Sequence, residues 1–324
     1  MKLRVDRGIQ LKVSVVVPTY NCAATIRATL DSVLGQTCPA EEILVMDDGS
    51  TDDTNSILES YRSSIKAFRQ PNAGPSGARD ALIEKAKGEL VAFVDSDDIW
   101  HPGYLEAQRM LYERYPKAAA LFTGHKVFYG SGPMDWTGDT FDVPQATELI
   151  EPLMFLKRYN ETPGYFYPSF CCVPSHVLKA MGREPFRGKV AEDCYFYNRL
   201  ALFGPVARTP TPLVGYRIRE GSLSSEVVKL CEGAVLSFER LEEQFRKCPD
   251  ADYRSAFQRA YAVRRRDYAK ALLGAKMIPE GRQQLKRSLA SSRAPLSVAK
   301  SLRLLLLTYM PDRLQPTWPV KARN

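Results

Sequence analysis

From the amino end, the first block of consecutive apolar positions is Val13 to Val17, a β-branched run closed by Pro18. A short run without polar interruption suits a strand covered on both faces, as in a parallel sheet. An amphipathic stretch from about Ala24 to Leu34 predicts a helix. EEILVMDD then repeats the apolar run and ends in carboxylates, and GSTDDTNSILESYR follows with Ser and Thr placed to cap a second helix. Ile65 to Phe68 is a weak third strand, Pro75 to Lys87 a helix, and ELVAFVDSDD another apolar run ending in carboxylates. Such alternation predicts an α/β fold built on a doubly wound, mainly parallel sheet. From about Lys126 to Thr162 the pattern dissolves into Gly, Pro and aromatic positions, a long irregular connection. Helical spacing returns at Val227 to Arg246 and at Tyr253 to Leu273.

Ligands of such sheets bind beyond the carboxyl ends of the strands. Three strand ends carry PTYN, DDGS and DSDD, so residues far apart in sequence are expected to meet in one polar, anionic crevice. Asp95, Ser96 and Asp97 form a DxD element directly after LVAFV, and Asp98 extends it. Strand alternation points Asp95 and Asp97 to one side. Two hard oxygen donors hold Mn²⁺ or Mg²⁺, which completes its shell with water and substrate phosphates. A cation held there stabilises the charge that develops on a diphosphate leaving group. Taken alone, a DxD turn is more readily a solvated helix cap, so its meaning depends on the other strand ends.

Composition narrows the picture. A chain of 324 residues with 44% hydrophobic content has room for one large domain with an appended segment. Seven cysteines without a CxxC pair argue against a disulfide framework and for reduced thiols in the cytoplasm. His101, His125 and His176 lie at no metal-ligand spacing, which disfavours zinc. The first 18 residues lack the apolar core of a signal peptide, and no stretch reaches the roughly 20 apolar residues of a spanning helix, so no crossing of a bilayer is expected.

The net charge of +8 is unevenly placed: residues 254–324 hold 16 Lys/Arg against 3 Asp/Glu, leaving 29 against 34 elsewhere. In this tail SLRLLLLTYMPDRL sets an apolar stretch between arginines, and Arg264, Arg265 and Arg266 form a basic run. Two readings stay open: a basic amphipathic surface for the inner face of an anionic membrane, or helices packing on the protein. Aromatic residues are too sparse there for nucleic-acid stacking.

In order along the chain, VSVVVPTYN, MDDGSTDDT, NAGPSGARDAL, FVDSDD and AEDCYFYNRL resemble the family 2 glycosyltransferases, which have the GT-A fold. The resemblance covers about residues 12–224, with YRIREGSLS similar to the family's end-of-domain signature. It implies a GT-A catalytic domain over 1–224, with residues 225–324 left as a basic helical C-terminal extension. It further implies that Pro18, Thr19, Tyr20 and Asp48 floor the donor base and ribose, with Asp48 accepting from a uracil N–H, so a UDP-sugar is favoured. Arg79 matches a position near the nucleotide, Asp95 and Ser96 lie along the donor, and Asp95 and Asp97 hold the metal. Asp193 matches the catalytic base, because inverting transfer needs one carboxylate to take the acceptor proton. Its bland alternative is a helix start favoured by the dipole. Glu192, Trp100, Arg217 and Arg219 are candidates for the acceptor or the diphosphate. Arg219 stands where the family often has His, and an arginine does not ligate a cation. The acceptor is expected to be a saccharide or lipid-linked saccharide of bacterial surface polysaccharide or glycolipid synthesis.

Two other functions share parts of this pattern. A sugar nucleotidyltransferase opens with a Gly-rich phosphate loop, whereas this first turn reads PTYNCAAT. A non-catalytic nucleotide-sugar-binding module can dispense with its base and metal ligands, yet Asp95, Asp97 and Asp193 all remain.

Overall fold

The computed structural model describes residues 11–137, 146–161, 166–218, 226–291 and 294–310, together with Trp318. The chain divides into two compact units, the first comprising Met1–Ile150, Phe166–Pro185 and Gly204–Ile218, the second Glu151–Tyr165, Phe186–Phe203 and Arg219–Asn324. The division therefore differs from a single cut at 224, because two segments from the middle of the chain join the C-terminal helices.

The first unit carries the sheet. Its strands are β1 (Val13–Thr19), β2 (Glu42–Asp47), β3 (Lys66–Arg69), β4 (Leu90–Phe93), β5 (Ile99–Trp100), β6 (Ala120–Tyr129), β7 (Glu148–Ile150), β8 (Cys171–Pro174) and β9 (Val206–Ile218). They lie in the order β3-β2-β1-β4-β8-β6-β9-β5, with β7 pairing β9. The half β3-β2-β1-β4 is parallel, as the apolar runs predict. The other half is mixed: β8 runs antiparallel to β4 and β6, while β6 and β9 pair in parallel. A bulge in that last pair sits at Gly124, where a Cβ would fall 2.2 Å from the Pro210 carbonyl oxygen, so only glycine fits.

Helices α1 (Ile26–Leu34), α2 (Thr54–Ser60), α3 (Gly74–Lys85), α4 (Tyr104–Arg114) and α6 (Ser175–Met181) belong to this unit. Val13, Val15 and Val17 of β1 are wholly buried in one core with Leu30, Leu90 and Leu121. Each such side chain stabilises by about 1.5–3 kcal/mol. Glu42 ties three elements at the far end of β1: its carboxylate accepts from Ser14 Oγ (2.8 Å), the Lys87 N–H (2.8 Å) and Lys66 Nζ (2.8 Å).

Among the described residues, the second unit holds α5 (Pro152–Glu161), α7 (Glu192–Leu200), α8 (Val227–Arg246), α9 (Ala251–Gly274), α10 (Ile278–Ser291) and α11 (Pro295–Leu307). Asp250 caps α9, accepting from the Asp252 N–H at 2.7 Å. Phe257 stacks on Phe245 and Tyr261 on Phe238, with centroids 4.1 and 5.4 Å apart. Asn160 of α5 donates to Asn198 of α7 at 2.7 Å, which helps explain why these segments join the helical unit.

Of the two readings open for the tail, the arginine run itself fits packing on the protein. Arg265 and Arg266 are buried, Arg265 donating to Gln284 and Glu239, Arg266 to the Ser297 and Ser301 hydroxyls. Arg264 is half-buried; burial opposes its charge, and Cys194, Tyr159, Asp267 and Asp193 more than offset this. The run is internal cement and not a basic face. Among the described residues no helix is long and apolar enough to cross a membrane.

Candidate functional site

Register places three turns together. Thr19 at the end of β1 lies opposite Asp47 at the end of β2, and Val16 opposite Phe93 at the end of β4. Since β1 has β2 on one side and β4 on the other, the crevice of this sheet opens where the strand order reverses. PTYN, DDGS and DSDD stand at its rim, as expected.

The first two turns are laced to each other. The Asp48 N–H donates to the Thr19 carbonyl (2.8 Å), the Asn21 N–H to Ser50 Oγ (3.0 Å), and the Thr51 N–H to Asn21 Oδ1 (2.8 Å). Asp52 accepts from the Ala23 N–H at 3.0 Å. Asp47 Oδ1 accepts from the Ser50 N–H (2.8 Å), while its other oxygen lies 3.5 Å from Arg69 Nη1. Gly49 adopts φ +83°, and a Cβ there would come within 3.2 Å of the Asn72 backbone nitrogen. Glycine thus lets the DDGS turn and the segment before α3 approach closely.

Asp48 is buried and collects three donors: Gln70 Nε2 (2.7 Å) and the Ala73 N–H (2.9 Å) on Oδ1, the Gly74 N–H (2.8 Å) on Oδ2. The last two N–H groups open α3, so the carboxylate also complements that helix start. Oδ2 holds one donor here and has capacity for a second. Thr19 is buried with no hydrogen-bond partner for its hydroxyl, Pro18 is buried, and Tyr20 is exposed at the rim.

At the third turn Arg79 of α3 reaches Asp95, Nη2 to Oδ1 at 2.5 Å. The Asp95 N–H donates to Ser169 Oγ at 2.9 Å. Ser96 points inward, its hydroxyl donating to Cys22 Sγ (3.0 Å) and its carbonyl accepting from Thr25 Oγ1 (2.9 Å), which fixes the turn to the start of α1. Asp97 is half-buried. Asp98 is fully buried and accepts from the Arg217 N–H at 3.0 Å. Burial, then the charges of Asp97 and Asp95, push its carboxyl well above the ordinary range, against the hydrogen bonds from Ser169 and Arg217.

Among the described residues no group of three or more His, Cys, Asp or Glu is placed to hold a metal. The donors that the sequence nominates are Asp97 and Asp95, one oxygen of which is engaged by Arg79. That set fits a hard cation drawing most of its shell from phosphates and water, and not a closed protein cage.

Two other candidates have structural work. Arg217 is buried and donates to backbone carbonyls of Asp97 (Nε, 2.6 Å), Gly132 (Nη2, 3.1 Å) and Gly130, with its guanidinium 4.3 Å from the Phe128 ring centroid. It pins the third turn to β9. Trp100 is core: it stacks on Tyr104 at 4.0 Å and donates from its indole to the Ser169 carbonyl. One edge borders a cleft of about 450 Å³ that also involves Arg27, Asp31 and Trp136, and none of the turn carboxylates lines it.

In the second unit Ala191 adopts a left-handed φ of 54° and Glu192 and Asp193 begin α7. Asp193 is half-buried and its Oδ1 accepts from the Cys194 N–H at 2.8 Å; Glu192 is buried. Both carboxylates face the favourable end of the helix dipole. Arg219 lies outside the described residues. Asp52, Gln70, Ser169 and the clamp of Arg217 were not foreseen. For Asp52 the signal was present in STDDT, whose acidic residue precedes a helix start.

The parallel half-sheet with acidic turns at its switch point defines a GT-A type α/β fold. Over 92% of this chain and 87% of theirs, residues 1–349 of S. aureus TarS in complex with UDP-GlcNAc superpose with a TM-score of 0.66 at 22% identity. The mannosyltransferase PcManGT from Pyrobaculum calidifontis in complex with GDP-Man and Mn²⁺ gives a TM-score of 0.59 at 20% identity, over 94% and 82%. The sequence model of Glycosyl transferase family 2 matches residues 14–177, just over half of the chain. The chain belongs to this family. Among its sequence relatives, the Escherichia coli UDP-Glc:alpha-D-GlcNAc-diphosphoundecaprenol beta-1,3-glucosyltransferase WfgD is 45% identical over 98 residues, 30% of this chain and 39% of WfgD. The chain spans half or less of the length of this and three further relatives.

Proposed function

We propose that the protein transfers a sugar, with inversion, from a UDP-sugar to a hydroxyl of a saccharide or lipid-linked saccharide in bacterial surface polysaccharide or glycolipid synthesis. The observation that carries this reading is the lacing of PTYN and DDGS beside DSDD at one switch point, with Arg79 braced on Asp95. Pro18, Thr19, Tyr20 and Asp48 bind the uridine; the unpartnered Thr19 hydroxyl and the remaining capacity of Asp48 Oδ2 supply polar contacts. Arg79 sets the orientation of Asp95. Asp95 and Asp97 hold Mn²⁺ or Mg²⁺, which when bound neutralises charge on the departing diphosphate. Asp193 takes the acceptor proton as the new glycosidic bond forms and the bond to the phosphate oxygen breaks. Arg217 serves as a positioning residue for the turn.

Support for the donor comes from TarS, which holds UDP-GlcNAc, and from WfgD, whose name gives UDP-Glc and a diphosphoundecaprenol acceptor. PcManGT, with GDP-Man, makes a GDP-sugar the comparator. The test is a panel of UDP- and GDP-sugars assayed by thermal shift and donor hydrolysis with Mn²⁺, Mg²⁺ or chelator. At 100 times its dissociation constant the right donor adds about 2.7 kcal/mol of stability. Turnover undiminished by chelation, or stabilisation by GDP-sugars alone, overturns the corresponding part of the proposal.

A further inference from the structure

Helix α11 carries large apolar side chains on its outward side as well as its inward one. On its inward side Leu304 and Leu305 pack against Ala269, Leu273 and Leu285, while Ser297 and Ser301 accept from Arg266 Nη1 at 2.8 and 3.2 Å and Ser301 shares a hydrogen bond with Ser288 at 2.9 Å. Just beyond the helix, Thr308 accepts from Arg282 through its hydroxyl (3.0 Å) and its carbonyl (2.6 Å). The outward positions are large and apolar: Leu296 is 68% exposed, Leu302 45%, Leu306 61% and Tyr309 59%. A helix that only packed on its neighbours would place those leucines inside and the serines out.

Charge selects the occupant of this face. Residues 281–310 contain six Lys/Arg and no Asp/Glu, and Lys300 and Arg303 are exposed among the leucines. A second copy docked through the same face would bring these cations together with no acid in the segment to pair them. From the segment that follows, Trp318 packs with Leu304 and Leu305 on the inner cluster and leaves Leu296, Leu302 and Leu306 exposed, and the excess of Arg313, Lys321 and Arg323 over Asp312 in residues 311–324 gives that segment the same sign as α11. A surface that is apolar beneath and anionic above matches both features at once.

We infer that α11 is the element by which the protein docks on an anionic lipid surface, its leucines entering the headgroup boundary and Lys300 and Arg303 meeting the headgroups. The inference deepens the lipid-linked acceptor reading and rests on it for its purpose, since a peripheral enzyme must reach an acceptor held in the membrane. It also replaces Arg264–Arg266 by α11 as the membrane determinant.

The experiment floats the full chain with vesicles of phosphatidylcholine alone or with added phosphatidylglycerol, at low and high salt. Wild type is expected on the anionic vesicles at low salt only. Joint Leu302→Ser and Leu306→Ser substitution should lower partition at least about tenfold. Joint Lys300→Gln and Arg303→Gln substitution should lower it roughly 30-fold and flatten the salt dependence. Failure of wild type to float, or equal flotation by all forms, overturns the inference. So does a concentration-dependent dimer abolished by the leucine substitutions, which assigns the face to a second copy. A lower melting temperature of the leucine variant without vesicles also overturns it, because the chain itself then covers the face. Donor-dependent thermal shifts unchanged in every variant leave the glycosyltransferase reading standing, which separates the two failures.

Discussion

Arg79 and Asp95 meet at 2.5 Å across the crevice, the arginine side chain 4% exposed and the carboxylate 30%. A guanidinium so enclosed is held charged by its partner, and the partner is held in one rotamer by the guanidinium. Arg79→Ala should therefore loosen Asp95 as well as remove a cation. Hydrogen bonds to charged groups contribute about 1.5–3 kcal/mol, so donor affinity is expected to fall roughly 10- to 100-fold. Isothermal titration with the donor and Mn²⁺ measures it. Affinity within twofold of wild type would show that Arg79 has no part in the site.

Much of this arrangement could be read from local pattern, and the rest depends on pairings that no local pattern encodes. The runs before PTYN, DDGS and DSDD are short, apolar and followed by helices, so β1, β2, β4 and their rim follow from periodicity. Val227 to Arg246 matched α8 at both ends, because its apolar stripe is uninterrupted. By contrast, β8 enters the sheet from residues 171–174 and β6 pairs with a strand some 86 positions later, Ala120 opposite Val206, contacts fixed by topology alone. Arg217 shows the same limit at the site, since its acceptors are carbonyls of Asp97, Gly130 and Gly132. The arginine run left two readings open for another reason. In α9 the neighbours Phe257, Ala260, Tyr261, Ala262 and Ala269 are all buried, so the helix is enclosed on several sides and its cations must find partners within.

The Glu42 carboxylate makes acid sensitivity of the sheet predictable. Burial alone would raise its pKa, but the bonds from Lys66, the Lys87 N–H and Ser14 outweigh burial and hold it below the ordinary 4.5. A carboxylate with a depressed folded pKa contributes stability that is present above the unfolded value and lost as pH falls through the folded one. Glu42→Gln should cost about 1–3 kcal/mol at neutral pH, and the gap to wild type should close below pH 4.5. Urea midpoints across this range check it; a constant gap down to the acid limit excludes Glu42 as the source.

Asp193 in the first turn of α7 is positioned by its own helix, with Oδ1 on the Cys194 N–H. Asn in its place keeps an acceptor oxygen for that N–H but cannot take a proton. General-base removal costs about 10²–10⁴ in rate, so Asp193→Asn should lose transfer to that extent with donor affinity unchanged. Single-turnover transfer alongside donor titration separates the two quantities. Full turnover in the variant removes Asp193 from the mechanism.

Asp97 and Asp98 are adjacent acids with opposite expected roles. Asp98 is fully enclosed, its carboxyl pushed up by burial and by the charges of Asp97 and Asp95, and its contact is with the backbone of β9, so its role is structural. Asn has nearly the same shape and keeps an oxygen for the Arg217 N–H that Asp98 accepts at 3.0 Å. Asp98→Asn should then fold with a melting temperature near wild type and retain most activity. Asp97, half-buried at the rim, has no such replacement if it holds the cation: Asp97→Asn removes a negative donor and should raise the Mn²⁺ concentration needed for half-maximal turnover about tenfold or more. Metal titrations of donor hydrolysis compare the two variants directly. If Asp98→Asn shifts the metal requirement and Asp97→Asn does not, the buried acid is the metal donor and the assignment within the cluster is reversed.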